Sequence, residues 1–214
     1  DKIIVIKNGF NFENILPPTK TIAQVEKDYN LNSEDFIVSF IGTIGMAHGL
    51  DIILKASKNI DKKVKFLIVG DGAEKDMLKK KAQAQSINNV IFISSISWQE
   101  IINLNQVISV NLVHLINNPL FQKVIPSKIF ESMALKKPII IGVLGEAGKI
   151  VEDAKCGISI IPEDSNSLID AINKFLDNPQ LIESLSNNGY EHVFKNYSRN
   201  NLAYEMIEYI RIKL

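Results

Sequence analysis

Cysteine is nearly absent: the 214 residues hold one, Cys156. A lone cysteine forms no internal disulfide and fits a reducing, cytoplasmic setting. Beside Gly157 it reads as a small core residue. Net charge is absent too, with 24 basic side chains against 24 acidic ones. A nucleic-acid binder would show a basic excess, so no nucleic-acid partner is expected. No apolar run approaches the ~18 residues that a membrane helix needs. With no signal peptide either, no membrane insertion is expected of these residues. The three histidines, His48, His114 and His192, lack metal-ligand spacing, and no Asp-x-Asp stands at a strand end. No metal and no cofactor are expected on that basis. A G-x-x-x-x-G-K-[ST] loop is missing, which excludes a P-loop nucleotide hydrolase at the motif level. The chain shows no internal repeat, no low-complexity tract and no linker. It starts with Asp1 at what reads as a strand, so it is expected to be a piece of a longer protein.

What is present is alternation. Short β-branched runs (Ile3–Ile6, Phe36–Ile41, Val64–Val69, Val90–Ile93, Val107–Leu112, Pro138–Ile141, Gly157–Ile161) are separated by amphipathic ones. The amphipathic stretches are Thr21–Tyr29, His48–Ile60, Glu74–Ser86, Trp98–Leu104, Ser127–Leu135 and Ala147–Ala154. Nearly continuous apolar strands suit a parallel sheet covered on both faces. The pattern predicts an α/β fold with a doubly wound parallel sheet in a single domain, residues 1–214. After Ile161 three helices follow, Ser165–Leu176, Pro179–Lys195 and Arg199–Ile212, with Asp164 or Ser165 capping the first. Pro17-Pro18 marks a loop.

Ligands of such sheets bind beyond the carboxyl ends of the strands, so the turns there are the candidate sites. Gly42-Thr43-Ile44-Gly45 leads to His48-Gly49-Leu50; three glycines suit close backbone approach to a phosphate or sugar, or simply a tight turn. Gly70-Asp71-Gly72 opens like a dinucleotide fingerprint, but Lys75 stands where the third glycine belongs. In Ser94-Ser95-Ile96-Ser97, backbone groups suit a nucleobase edge, while Ser97 reads as a helix cap with Glu100 completing a capping box. His114 follows a strand, where a side chain can face the cleft. His192 and Lys79-Lys80-Lys81 read as solvated helix faces.

The segment from Val124 to Ile141 carries the most information. Pro126 at a first helical position would leave first-turn N–H groups unpaired and open to anions. Lys128 adds a full charge beside them. Ser127, Lys128 and Glu131 fall on one helix face, so anion donors sit with a carboxylate, as a phosphorylated sugar requires. The competing reading of Glu131 is a solvated helix carboxylate.

Taken in order, these segments resemble the C-terminal domain of the retaining family 4 glycosyltransferases of GT-B fold, over nearly the whole chain. Val5-Ile6-Lys7-Asn8-Gly9-Phe10-Asn11 is similar to that family's V-I-P-N-G-V-D segment. The Phe40-to-Leu50 stretch resembles its G-R-L…K-G-L loop, and Phe66-Leu67-Ile68-Val69-Gly70-Asp71-Gly72 resembles L-x-I-V-G-D-G. Pro126 to Pro138 resembles P-S-K-x-x-E-x-M-A-x-x-K-P, followed by Gly145-Glu146-Ala147 as in transferases that build bacterial surface polysaccharides.

The resemblance implies a Rossmann-like half of a GT-B enzyme that binds a UDP- or GDP-linked sugar for transfer to a saccharide or lipid-linked acceptor. Lys128 and Glu131 would be the catalytic pair. Glu131 would take the ribose hydroxyls, and Ser127 and Lys128 the diphosphate. Gly42, Thr43 and Gly45 would line the phosphates from the other side. Ser95 and Ile96 would border the base, and Phe121–Ile125 would face the sugar. His48, Gly70, Asp71 and Lys123 complete the implied donor-binding set. Two positions depart from the family: Lys123 stands where many members have a glutamate, and Thr43 and His48 replace an Arg and a Lys of the glycine loop. The clamp charge is therefore expected on Lys123 and Lys128. The implied partner is an N-terminal acceptor domain absent from these residues, without which turnover is not expected. Helix Arg199–Ile212 would cross toward that domain with Leu202, Met206, Ile207 and Ile210 partly exposed. A lipid-linked acceptor would bring the full-length protein to the inner face of the membrane. The alternatives are half of a non-hydrolysing UDP-sugar 2-epimerase and a non-catalytic α/β binding module.

Overall fold

A computed structural model describes residues 5–32 and 34–213. Six strands make one parallel sheet: β1 (Phe36–Ile41), β2 (Val64–Val69), β3 (Val90–Ile93), β4 (Val110–His114), β5 (Ile139–Gly142) and β6 (Gly157–Ser159). Their spatial order is β3-β2-β1-β4-β5-β6. The helices are α1 (Ile22–Tyr29), α2 (Asp51–Ser57), α3 (Lys75–Ala84), α4 (Trp98–Asn105), α5 (Lys128–Ala134), α6 (Glu146–Asp153), α7 (Ser165–Asp177), α8 (Gln180–Tyr197) and α9 (Arg199–Lys213). The expected doubly wound α/β architecture with extra C-terminal helices is therefore present.

Side chains of a strand alternate between faces. Phe36, Val38 and Phe40 of β1 join α2, α3 and α7 in one core, where Phe175 is fully buried with its ring 6.4 Å from that of Phe36. Ile37 points to the other face, into a core with Val25 of α1 and Leu104 of α4. Val113 of β4 and Ile139 and Ile141 of β5 meet α5, α6 and α8 on that same side. Ser39 and Asn111 share this parity and lie in register on β1 and β4, so both point under α5.

Side-chain caps fix several helix starts. Thr21 and Gln24 cap α1 reciprocally, and Asp164 accepts from the N–H groups of Asn166 and Ser167 to start α7. Ser97 caps α4 by accepting from the Glu100 N–H, but the expected box is half made. The Glu100 carboxylate binds Lys20, Tyr29 and Asn103 instead.

Other boundaries differ from expectation. β4 runs over Val110–His114 rather than Val107–Leu112: Val107 closes a turn on Leu104, and Ile108 presents its carbonyl to the Lys137 amine. Polar His114 belongs to the strand, which an apolar count misses. β6 stops at Ser159. The expected first strand falls partly outside the described residues; Val5 and Ile6 form no strand, and Val5 is exposed. The chain enters the fold at Phe10, whose N–H donates to Tyr197 O and whose carbonyl accepts from Arg199 N–H. That bridge ties the entry to the α8–α9 junction. It also buries Leu202, while Met206, Ile207 and Ile210 are exposed as expected. Cys156 is buried and its thiol is pushed up to about 12, chiefly by burial. Among the described residues no helix is long and apolar enough to cross a membrane.

Candidate functional site

From β1 the chain winds outward through β2 to β3, then returns across the sheet to β4. The pair β1–β4 is thus the topological switch point, where the carboxyl ends of the strands open a crevice. Three loops and the start of α5 converge there.

The glycine loop leaves β1 at Gly42 (φ +138°). Its N–H donates to Val69 O at 2.8 Å, and the Ile44 N–H donates to Asp71 O at 2.9 Å. The Thr43 N–H between them has no acceptor among the described residues. Gly70 (φ +142°) comes so close beneath that a Cβ there would stand 2.0 Å from Gly42 O. Asp71 staples this turn to the next: it accepts from the Ser95 N–H at 2.8 Å and pairs with Lys75, whose buried amine also donates to Gly70 O and Ser94 Oγ. The Lys75 bond, then the Ser95 N–H, hold the Asp71 carboxyl at about 2. Gly42, Thr43, Gly70, Asp71, Ser95 and Ile96 together line an open depression of about 250 Å³.

A second depression of about 190 Å³ is lined by Asn8, Gly9, Trp98, Ser127, Glu131 and Arg199, among others. A third, of about 30 Å³, shares Trp98 and Glu131 with the second and Ile41 and Ile101 with the first, and adds Lys128, Asn111 and Ser132. The three trace one trough along the switch point.

Lys128 lies in that trough. Its Nζ sits 4.0 Å above the centroid of the Phe40 ring and packs against Gly42, where an added Cβ would meet Lys128 Cε at 2.4 Å. The amine is buried and has no hydrogen-bond partner among the described residues. Burial lowers its pKa to about 8, against an opposing pull from Glu131 one turn on. A buried ammonium without an acceptor is costly in any fold.

The start of α5 differs from expectation. Pro126 lies outside the helix, and Ser127 takes the cap position with helical dihedrals and no side-chain cap. The N–H groups of Ile129 and Phe130 donate back to Pro126 O and Ser127 O. Two of the expected anion donors are therefore spent within a tight first turn, and Lys128 turns inward rather than out. The Lys128 side chain brings a positive charge into the trough, and Arg199 lines the neighbouring depression.

Two histidines brace the glycine loop. The Glu163 N–H donates to His114 Nε2 at 2.9 Å, so the proton of this ring resides on Nδ1, which donates to His48 O at 2.6 Å. In return His48 Nδ1 donates to His114 O at 3.2 Å. Burial lowers the pKa of both rings, and the Lys128 charge lowers that of His48 further. His48 packs edge-on to Phe40 at 5.2 Å, so Phe40 carries both Lys128 and His48. His114 is buried and does not face the crevice. His192 is half-buried beside Tyr197 rather than solvated.

The structure thus gathers Gly42, Thr43, His48, Gly70, Asp71, Ser95, Ile96, Ser127, Lys128 and Glu131 around the switch point. Gly45 opens the turn Met46–His48, and a Cβ there would make ordinary contact with Thr43 Cγ2 at 3.9 Å. Lys123 ends the turn Pro119–Lys123, is exposed, and lines none of these depressions. Trp98, Asn111 and Ser132 line the trough without having been foreseen as site residues. Asn111 left a signal, one polar residue inside Val110-Asn111-Leu112. Among the described residues no group of three or more His, Cys, Asp or Glu is placed to hold a metal.

The parallel sheet, the trough at its switch point and the trailing helices define a Rossmann-like domain of GT-B type. The chain belongs to the family Glycosyl transferases group 1, matching it over residues 22–192. It is 24% identical over 169 residues to alpha-D-kanosaminyltransferase of Streptomyces kanamyceticus, covering 78% of this chain and 42% of that one. It is 24% identical over 186 residues to O-antigen chain mannosyltransferase C of Escherichia coli, covering 84% and 46%. The chain spans about half the length of the curated relatives it matches. Among solved structures, Anabaena HepE in complex with UDP-glucose superposes with a TM-score of 0.79 at 19% identity, over 97% of this chain and 57% of that one. The C-terminal domain of the group 1 family protein LpcC of Francisella tularensis superposes with a TM-score of 0.70 at 18% identity, over 89% of this chain and all of that one.

Proposed function

We propose that this chain is the donor-binding half of a retaining glycosyltransferase, taking a UDP-linked hexose or N-acetylhexosamine. The observation that carries the reading is the unpartnered Lys128 amine, buried against Gly42 with Glu131 one turn along. A diphosphate would supply the missing acceptor. Ribose hydroxyls would donate to Glu131, and the base would lie over Ile96 beside Ser95. Solved neighbours in complex with UDP or UDP-glucose support the choice of nucleotide.

In the transfer step the glycosidic bond to the diphosphate breaks and negative charge grows on the departing oxygen. A cation fixed there beforehand stabilises that charge without reorganising. Lys128 is held this way by Phe40 and Gly42, and the Thr43 N–H adds an oriented dipole. The acceptor would be held by an N-terminal domain beyond these residues, and the exposed Met206, Ile207 and Ile210 of α9 suit a surface facing that domain. Without that domain the 214 residues bind donor and do not turn over. No observation favours the epimerase or the non-catalytic module.

Calorimetric titration of the chain with UDP, GDP and uridine tests this. UDP is expected to bind, uridine far more weakly, and Glu131→Gln to lower UDP affinity about tenfold, one charge-assisted hydrogen bond's worth. Equal affinity for uridine and UDP would remove the diphosphate from the account.

A further inference from the structure

Below the trough runs a buried polar chain that the proposed chemistry does not use. Ser39 of β1, Asn111 of β4 and Ser132 of α5 are all buried. The Ser39 hydroxyl donates to Asn111 Oδ1. Asn111 Nδ2 donates to Ser132 Oγ at 2.9 Å, and the Ser132 hydroxyl donates to the carbonyl of Lys128 at 2.7 Å. The direction is fixed by proton count. A carbonyl only accepts, so the single Ser132 proton goes to Lys128 O and the Ser132 oxygen must accept from the amide nitrogen of Asn111. The other end of that amide then accepts from Ser39. Reversing the amide would cost the link to Lys128.

Apolar side chains of similar volume at all three positions would pack α5 on the sheet without fixing its height, and one apolar residue alone at Asn111 leaves Ser39 and Ser132 unpaired beneath the helix. What a hydrogen-bonded chain adds is fixed length and direction. This one spans both strands of the switch point and ends on the residue whose amine lies unpartnered in the trough. We propose that Asn111, acting through Ser132, is a positioning residue that sets the depth of the Lys128 amine beneath the Gly42 turn, and through it the affinity for a diphosphate. The inference rests on the reading of Lys128 as the diphosphate contact.

The groups facing the Lys128 amine are Glu131 on its own helix, His48 from the turn Met46–His48, and the Phe40 ring of β1. With the chain intact the amine stays buried, and UDP affinity is expected to bend downward as pH rises past about 8. Once the tether is cut, the first turn of α5 lifts and the amine reaches water. The bend then moves toward the ordinary lysine range, near 10.4 by rough reference values.

The test measures UDP affinity against pH for the 214-residue chain and for Asn111→Leu, with Ser132→Ala as the milder cut should the first fail to fold. Expected are an affinity lower by about fivefold at neutral pH and a bend displaced upward in both variants. A variant with a lower melting temperature but wild-type affinity and an unmoved bend would make the chain merely structural and overturn the proposal. Lys128→Met separates the two levels. If it binds UDP normally, the diphosphate reading itself falls. If it loses UDP while Asn111→Leu and Ser132→Ala do not, the positioning role alone falls.

Discussion

Lys128→Met is expected to weaken UDP binding by about 10–100-fold, the loss of a charge-assisted contact of roughly 1.5–3 kcal/mol, while making the empty protein more stable. The two effects have one cause. The amine is buried over Phe40 with no acceptor among the described residues. Methionine is also unbranched and flexible, packs on aromatic rings, and carries no charge to desolvate. Removing a buried unsatisfied donor should return about 1–3 kcal/mol, or roughly 2–4 °C of melting temperature per kcal/mol in a domain of this size. The pH dependence fixes the sign. The Lys128 pKa is about 8 in the fold against 10.5 in the open chain, so between those values the unfolded chain holds the extra proton. The cost of Lys128 is present in full below pH 8 and disappears as pH rises through 10.5. The stability gain in Lys128→Met should follow that curve, read by thermal melts across pH. A variant that is destabilised at pH 7 and binds UDP as before would contradict both halves.

Gly70→Ala is expected to destabilise by about 3 kcal/mol or more, the range in which single substitutions report a backbone defect. Its φ of +142° is one that residues with a Cβ rarely adopt, and the new methyl would stand 2.0 Å from Gly42 O, a main-chain atom with no rotamer to escape into. The turn after β2 or the turn after β1 must move. The melting temperature should fall by about 6–12 °C, with UDP affinity lost alongside, since Gly42 shapes the packing of Lys128. Gly42→Ala is the informative contrast. Its φ of +138° carries the same strain, but the added atom meets the flexible end of Lys128 rather than backbone, so stability should fall less than in Gly70→Ala while binding is lost. Equal stability losses in the two variants would show that the turns are not in contact.

Most of the sheet could be read from the amino-acid order because its strands are β-branched runs buried on both faces. The β4 bounds slipped by three residues at the start and two at the end, where His114 closes a strand that also holds Asn111. Both polar residues are there for contacts made across the sheet, to Ser39 and Ser132 in one case and to His48 and Glu163 in the other. No local periodicity encodes such partners. The same limit applies at the site. Lys128 and Glu131 stand out in the sequence, but a helical wheel places Lys128 outward. What turns it inward is the Phe40 ring on a distant strand and the missing side chain at Gly42. Trp98 reads locally as a helix start, yet its Nε1 donates to Asn14 O at 2.7 Å and closes one wall of the trough.

The central claim is that diphosphate oxygens are the missing acceptor of Lys128. A crystal of this chain soaked with UDP examines it directly. The account predicts phosphate density within hydrogen-bonding distance of Lys128 Nζ, at the Gly42–Thr43 turn, with the ribose against Glu131. Nucleotide density elsewhere on the chain, with the Lys128 amine still unpartnered over Phe40, would contradict it.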